Sequence, residues 1–294
     1  MQQLLNRTFL LISVCASLAA FFFAYHAGLD LEVTVVAATV ATLVAGMLFE
    51  RFAPYREDWR RNRGDVGTDV ISAVVLVGMV EPLLKAAGPV ALVSLLGAAS
   101  IAPSEAFLAS LPLALQILAA TLLIELGRYW SHRLHHMAKP LWWLHAMHHS
   151  SERLYSLNNF RFHPLNHATN FIVGMLPAML LGFSPEALLG YLALTQPVLM
   201  LQHANIDLKS GWLNFIFSSN ELHRWHHSSD AREGHVNFGS ALVIWDQVFK
   251  TFYLGGNNRA PVQVGLFADS AAYPGRSGYF SQLRSMFSPG CCVG

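Results

Sequence analysis

The chain has 294 residues, 53% of them hydrophobic and 13% charged, with a formal net charge of +1. Soluble domains carry about 25% charged residues, so long apolar runs at roughly half that charge point to an integral membrane protein. The near-zero net charge offers none of the basic face that nucleic-acid binding requires, and the three cysteines, Cys15, Cys291 and Cys292, are too few for a Cys-based zinc or iron–sulfur site.

Thr8 to Ala27 is an uncharged run long enough to cross hydrocarbon. It exceeds the about 7–15 residues of a signal-peptide core, so a retained helix is expected. Leu31 to Phe49 is a second span, rich in Val and Ala. A polar loop over residues 50–65 follows, with five Arg between Arg51 and Arg63. The positive-inside rule places this basic loop, and with it the N-terminus, in the cytoplasm. Setting topology is the first role of these arginines; docking an acidic redox partner is the sharper one. Val66 to Ala99 is apolar but interrupted by Asp69, Glu81-Pro82, Lys85 and Gly88-Pro89. It reads as an imperfect span to Val80, then a turn and a short interfacial helix. Phe107 to Ile124 returns the chain to the cytoplasmic side and runs into a histidine-rich region. The apolar hairpin 168–202 is split by Gly182-Phe183-Ser184-Pro185 and fits either a re-entrant hairpin or two tilted spans. From Gly255 onward the chain reads as a loop-like tail on the membrane surface. Three regions result: transmembrane helices over 1–127, a catalytic region over 128–254, and a C-terminal tail over 255–294.

Of 14 His, 13 lie between His132 and His235. Leu144 to Glu152 and Leu222 to Asp230 are near-copies, each reading L-H-x-x-H-H-S-S followed by an acid. On a helix, Glu125, Tyr129, His132 and His136 share one face, and two imidazoles one turn apart stand about 5–6 Å from each other at Cβ, a workable separation for chelation. His135 points away from that pair. His145, His148 and His149 have i, i+3, i+4 spacing, and His223, His226 and His227 repeat it. Neighbouring imidazoles in such a box can address two metals. With His203 as a further ligand, this nitrogen set suits iron, zinc or copper and is unsuited to magnesium or calcium. The two boxes read as facing halves of one ligand sphere.

Bound imidazoles need acceptors that fix their tautomers. Glu125, Glu152, Asp230, Asn237 and Asp246 are candidates, with His163 and Asn205 as further groups near the ligands. Trp142, Trp143, Met147 and Trp225 lie among the ligands and are candidates to line a substrate cavity, the alternative being plain packing. His26 and His235 read as ordinary residues.

At Tyr129 to His136, Leu141 to Ser151, Arg161-Phe162-His163-Pro164, Gln202-His203-Ala204-Asn205, His223 to Ser228, Asn237-Phe238-Gly239 and Trp245 to Thr251, the chain resembles the fatty acid hydroxylase / sterol desaturase superfamily of membrane metal-dependent oxygenases. It departs from the family pattern at Glu125, where Asp is usual, and at Lys250, where Gly is usual. The resemblance implies an all-α, polytopic helical membrane protein with a cytosolic histidine-rich cap holding a dimetal site. His132, His136, His145, His148, His149, His203, His223, His226 and His227 would be the ligands, with no catalytic residue beyond them. It further implies two iron ions (zinc being possible in isolated protein), dioxygen, and a lipid that is hydroxylated or desaturated. Electrons would come from a separate cytochrome b5-like, ferredoxin or reductase partner. A membrane zinc-dependent lipid hydrolase is the competing reading; no H-E-x-x-H motif supports it.

Overall fold

The computed structural model describes residues 2–98, 107–256, 260–270, 272–288 and 291. Among these no β-strand forms, only isolated bridges such as Pro54 with Ile206. Helix α1 (Gln2–Ala27) turns through Gly28, whose positive φ of 68° suits a residue without Cβ, into α2 (Leu31–Phe52). Asp30 caps α2 by accepting from the Val33 amide at 2.9 Å. Val33, Val36, Val40, Val44 and Leu48 line an exposed apolar face of α2, as a lipid-facing helix requires.

Helix α3 (Val66–Val75), a π turn over Leu76–Val80 and α4 (Glu81–Ala98) follow without a break. The turn expected near Glu81-Pro82 is therefore absent. Pro82 sits in the first turn of α4, and the wider π turn just before it absorbs the missing amide and the ring's steric demand. Helix α5 (Leu113–Met137) starts later than the apolar run suggested and continues through His132 and His136. Pro140, which has no amide to extend that ladder, opens α6 (Lys139–His149) instead. Gln2–Ala27, Leu31–Phe52, Val66–Gly88 and Leu113–Met137 are each long and apolar enough to cross a membrane.

The apolar hairpin is α7 (Pro164–Leu180) and α8 (Pro185–Gln202). Its turn reaches the far end of α5, where the Ser184 amide meets Gln116 Oε1 at 3.3 Å. Gln116 lies about 24 Å along α5 from His132 at 1.5 Å per residue, so the hairpin runs the depth of that helix. Helix α8 is enclosed by α1, α2 and α5. Ala187, Tyr191, Ala193, Val198 and Leu201 are all buried, which is why its sequence is apolar all round. The short helices α9 (Asn220–His226), α10 (Ala231–Gly234) and α11 (Ile244–Val248) complete the cap.

Polar contacts gather at one end of the bundle. Glu50, near the end of α2, accepts from the Ser156 and Asn205 amides at 2.7 and 2.8 Å. Arg153 forks onto Asp65 at 2.7 and 2.9 Å, and buried Arg161 pairs with buried Asp69 of α3. The basic loop and the histidine boxes therefore share one end. The tail folds back over that end: Phe267, Tyr273 and Tyr279 are buried, the two tyrosines against Trp143, Ala146 and Met147, ahead of and within α12 (Tyr279–Arg284).

Candidate metal centre

Four helix ends deliver the histidines. Helix α5 carries His132 and His136 in its last turns, α6 carries His145, His148 and His149, His203 follows α8, and α9 carries His223 and His226 with His227 at its end. Their ring nitrogens converge on two points. One set is His132, His136, His145, His149 and His226; the other is His148, His203, His223 and His227; within each set the atoms lie within 4.8 Å of one another. The pairs one full turn apart stay together, His145 with His149 and His223 with His227. The middle histidine of each box crosses over, so His148 joins α9's pair and His226 joins α6's pair. Neither set contains a carboxylate.

The tautomers show what these points accept. His132 Nδ1 donates to the Phe238 carbonyl at 2.8 Å and His226 Nδ1 to the Val236 carbonyl at 2.9 Å. In the second set His148 Nδ1 donates to the Arg161 carbonyl at 3.2 Å, and His203 Nδ1 to Asn158 Oδ1 at 2.8 Å. A neutral imidazole carries one proton, so each of these Nε2 atoms presents a bare lone pair inward. His145 Nδ1 is likewise committed, to Asn166 Oδ1 at 3.1 Å, and its Nε2 lies 3.0 Å from His132 Nε2. Two lone pairs at that distance repel unless a cation lies between them. Metal–nitrogen bonds of about 2.1 Å place ligands at right angles about 3.0 Å apart, matching this contact and those of His203 with His223 at 3.0 Å and His149 with His226 at 3.1 Å. Among the described residues His136, buried, has no hydrogen-bond partner at either ring nitrogen. The nitrogens therefore fit two metal ions.

Burial, reinforced by neighbouring imidazoles, holds His145, His148, His149, His223, His226 and His227 well below the ordinary histidine range. Burial also pushes His203 down to about 3. The rings are thus neutral, the state a metal ligand needs.

The other candidate residues separate by what they touch. Asp246 accepts the Phe238 and Gly239 amides, both at 2.7 Å, and so holds the loop whose carbonyl fixes His132. Burial raises its carboxyl to about 6 despite these donors. Glu125 accepts the Ala241 and Leu242 amides at 2.7 and 2.8 Å and the Tyr191 hydroxyl at 3.0 Å, tying α5 and α8 to the same loop. Asn237, at φ 53°, bonds the Leu222 and Tyr253 carbonyls at 3.1 and 2.9 Å. Among the described residues none of these three hydrogen-bonds an imidazole. Asn205 bonds the Arg56 backbone, and His163 caps α7 through the Leu165 amide at 3.1 Å. Asp230 is spent on capping α10 and pairing with Arg232, and Glu152 on Arg276 and Arg63. These two acids face outward because the loops leaving each box turn away from the cluster. His135 is fully buried, with Nδ1 on the Ser131 carbonyl of its own helix, outside both sets.

Aromatic rings surround the nitrogens. Phe162 stacks on His148 at 4.1 Å, Phe238 packs on His132, His136 and His226, and Trp142 sits 4.9 Å from His136 and stacks on Phe267 of the tail. Met147 and Trp225 turn elsewhere. Met147 packs into the tail core, and Trp225 lies edge-on to Tyr253 against Gly255.

Residues 117–251 match the fatty acid hydroxylase family. The chain is also 33% identical over 279 residues to the ornithine lipid hydroxylase OlsE of Rhizobium tropici, covering 94% of this chain and 82% of that protein. The chain belongs to the fatty acid hydroxylase family. No solved structure matches it. The family region runs from within α5 to just past α11 and holds all nine histidines. Parts of the support lie outside it: Glu50, Asp65 and Asp69 precede it, and Phe267 follows it. Among family residues, Asn158, Asn166 and the carbonyls of Arg161, Val236 and Phe238 hold imidazoles but were not identified from sequence. A carbonyl leaves no mark in residue identity, and the two asparagines lie outside the boxes. Lys250, where the family usually has Gly, adopts φ 60°, which explains the usual glycine.

Proposed function

We propose that this fatty acid hydroxylase family member is a membrane di-iron oxygenase that hydroxylates a polar membrane lipid, using dioxygen and electrons from a separate carrier. The observation that carries this reading is the pair of converging, carboxylate-free nitrogen sets with inward lone pairs. His132, His136, His145, His149 and His226 would hold one ion, and His148, His203, His223 and His227 the other. Bound iron supplies the oxidising chemistry that an unactivated C–H bond demands and acid–base side chains lack.

The chain's own residues orient and shield. Phe238, Val236 and Arg161 fix imidazole tautomers through their carbonyls, Asn158 and Asn166 through their side chains. Phe162, Phe238, Trp142 and Phe267 exclude water from the ring faces. The similarity to OlsE makes an ornithine-type lipid the first substrate to test. The arginines of the 50–65 loop, on the same end as the boxes, suit an acidic cytochrome b5-like, ferredoxin or reductase donor, with that end in the cytoplasm.

The test is lipid mass spectrometry of a host that makes ornithine lipid, with and without this protein, under labelled dioxygen. The expected product gains one labelled oxygen atom. Loss of two hydrogens instead would indicate desaturation, and a hydroxylated product without the label, or oxygen-independent turnover, would overturn the oxygenase reading.

A further inference from the structure

A cleft of about 520 Å³ lies apart from the metal centre, between the first turns of α1, the loop around Lys209 and the outer side of α9. Arg224 is next to His223 in sequence, yet its side chain lines this cleft. Its guanidinium lies 4.2 Å over the Tyr55 ring, and Nη1 donates to the Ile206 carbonyl at 3.3 Å. Arg224 is 3% exposed and Ser210 5%. Among the described residues, however, neither Arg224 Nε nor Ser210 Oγ, both buried, has a hydrogen-bond partner. Buried polar groups are nearly always satisfied, so two unpartnered donors on residues that line one cleft favour an acceptor entering from it.

The charges favour an anion. Arg7, Lys209 and Arg224 outnumber the two carboxylates that also line the cleft, Asp207 and Glu221; among the described residues Arg7 and Arg224 form no ion pair, and Lys209 is paired with Asp207 at 3.2 Å. Glu221 is engaged from within, accepting the Ser210 amide at 2.6 Å and Asn214 Nδ2 at 3.1 Å, which shapes the loop rather than the ligand.

The location identifies the source of the anion. Arg7 and Leu11 belong to the start of the α1 span, bonded there to the loop by the Lys209 amide on the Asn6 carbonyl at 2.8 Å. On the adjoining turn Trp212, Phe215 and Ile216 are 64%, 53% and 42% exposed. An exposed Trp beside apolar side chains at the end of a span marks headgroup depth. We propose that this cleft binds the anionic group, carboxylate or phosphate, of a membrane lipid headgroup through Arg7, Lys209, Arg224 and Ser210. The site stands whether or not the chain oxidises lipids.

Native mass spectrometry of the purified full chain in detergent tests this. The probes are phosphatidylglycerol, ornithine lipid and uncharged diacylglycerol. The wild type is expected to retain one of the two anion-bearing lipids and to release diacylglycerol. The double variant Arg7→Gln/Lys209→Gln, altered only at the surface, and Arg224→Lys, which keeps the charge but removes Nε, should each bind at least about tenfold more weakly, as loss of a charge-assisted hydrogen bond implies. Metal content should be unchanged in the double variant, which shows that the fold is intact. Wild-type retention by the double variant, or equal retention of diacylglycerol, overturns the site. Complete displacement of the lipid by millimolar inorganic phosphate overturns the lipid assignment in favour of a free-anion site.

Discussion

The tautomer of one ring decides much at the residue scale. His145 presents a bare Nε2 because its proton sits on Nδ1, which donates to Asn166 Oδ1. Replacing Asn166 with Leu removes that acceptor, and loss of such a partner typically lowers metal affinity about 10–100-fold. Asn166→Asp keeps the acceptor and should keep the metal; competition with a graded chelator distinguishes the two. Lys250 offers a second test, since a non-glycine residue at φ 60° is strained. Lys250→Gly should stabilise the protein by about 0.5–1 kcal/mol, read as a higher melting temperature. Acid acts on the rings directly. Burial lowers His203 to about 3 and His163 to about 4, against about 6.5 in an unfolded chain. Between those values the unfolded chain binds more protons, so the stability from neutral burial is present above about pH 6.5 and lost as pH falls below it. Metal-free protein should melt at steadily lower temperature from pH 6.5 to 4 and show little change above 7; a flat acid limb would contradict this. The i, i+3, i+4 spacing made six of the nine converging histidines legible in sequence. The crossing of His148 and His226 was not legible, because it depends on how α6 and α9 face each other across the cluster.

Packing between elements holds this geometry. Helices α5 and α7 approach closely where Gly127 meets Gly174: a Cβ on Gly127 would stand 2.2 Å from the Val173 carbonyl oxygen. Beyond that contact, Ser131 bonds Asn170 at 2.6 Å, and Asn166 reaches His145. Gly127→Ala must push the helices apart against backbone, so it should cost about 1–3 kcal/mol and lower metal occupancy along with melting temperature. A Cβ on Gly174 would stand 2.9 Å from Arg128 Cγ and 3.4 Å from the nearest backbone oxygen, that of Ile124, a milder overlap than at Gly127, so Gly174→Ala should cost less; equal losses would show that the Gly127 contact is not the controlling one. The long spans were legible because length and hydropathy alone define them. The π turn at Leu76–Val80 and the folded-back tail were not. A π turn has no residue signature, and Phe267, Tyr273 and Tyr279 are too widely spaced in sequence to form a periodic pattern.

Orientation belongs to the whole molecule. The basic loop, both histidine boxes, Glu50 and the Asp65–Arg153 pair occupy one end of the bundle. The opposite end carries the Gly28–Asp30 turn, the 181–184 turn, and Lys85 paired with Glu32 at 3.2 Å. Moving Arg51, Arg56, Arg60, Arg61 and Arg63 across a membrane is disfavoured, whereas the opposite turns carry no such barrier. The proposed electron donor points the same way, because its reducing equivalents arise in the cytosol and must reach the histidine end. Single cysteines placed in a cysteine-free background decide the question. Leu29 is 53% exposed at the far turn, and Asn62 is exposed in the basic loop. A membrane-impermeant maleimide should label Leu29→Cys on intact cells, and Asn62→Cys only on inverted vesicles. The reverse pattern would place the histidine cap outside and remove the cytosolic donor from the reaction. Labelling of both from one face would mean that α1 and α2 do not each cross the membrane.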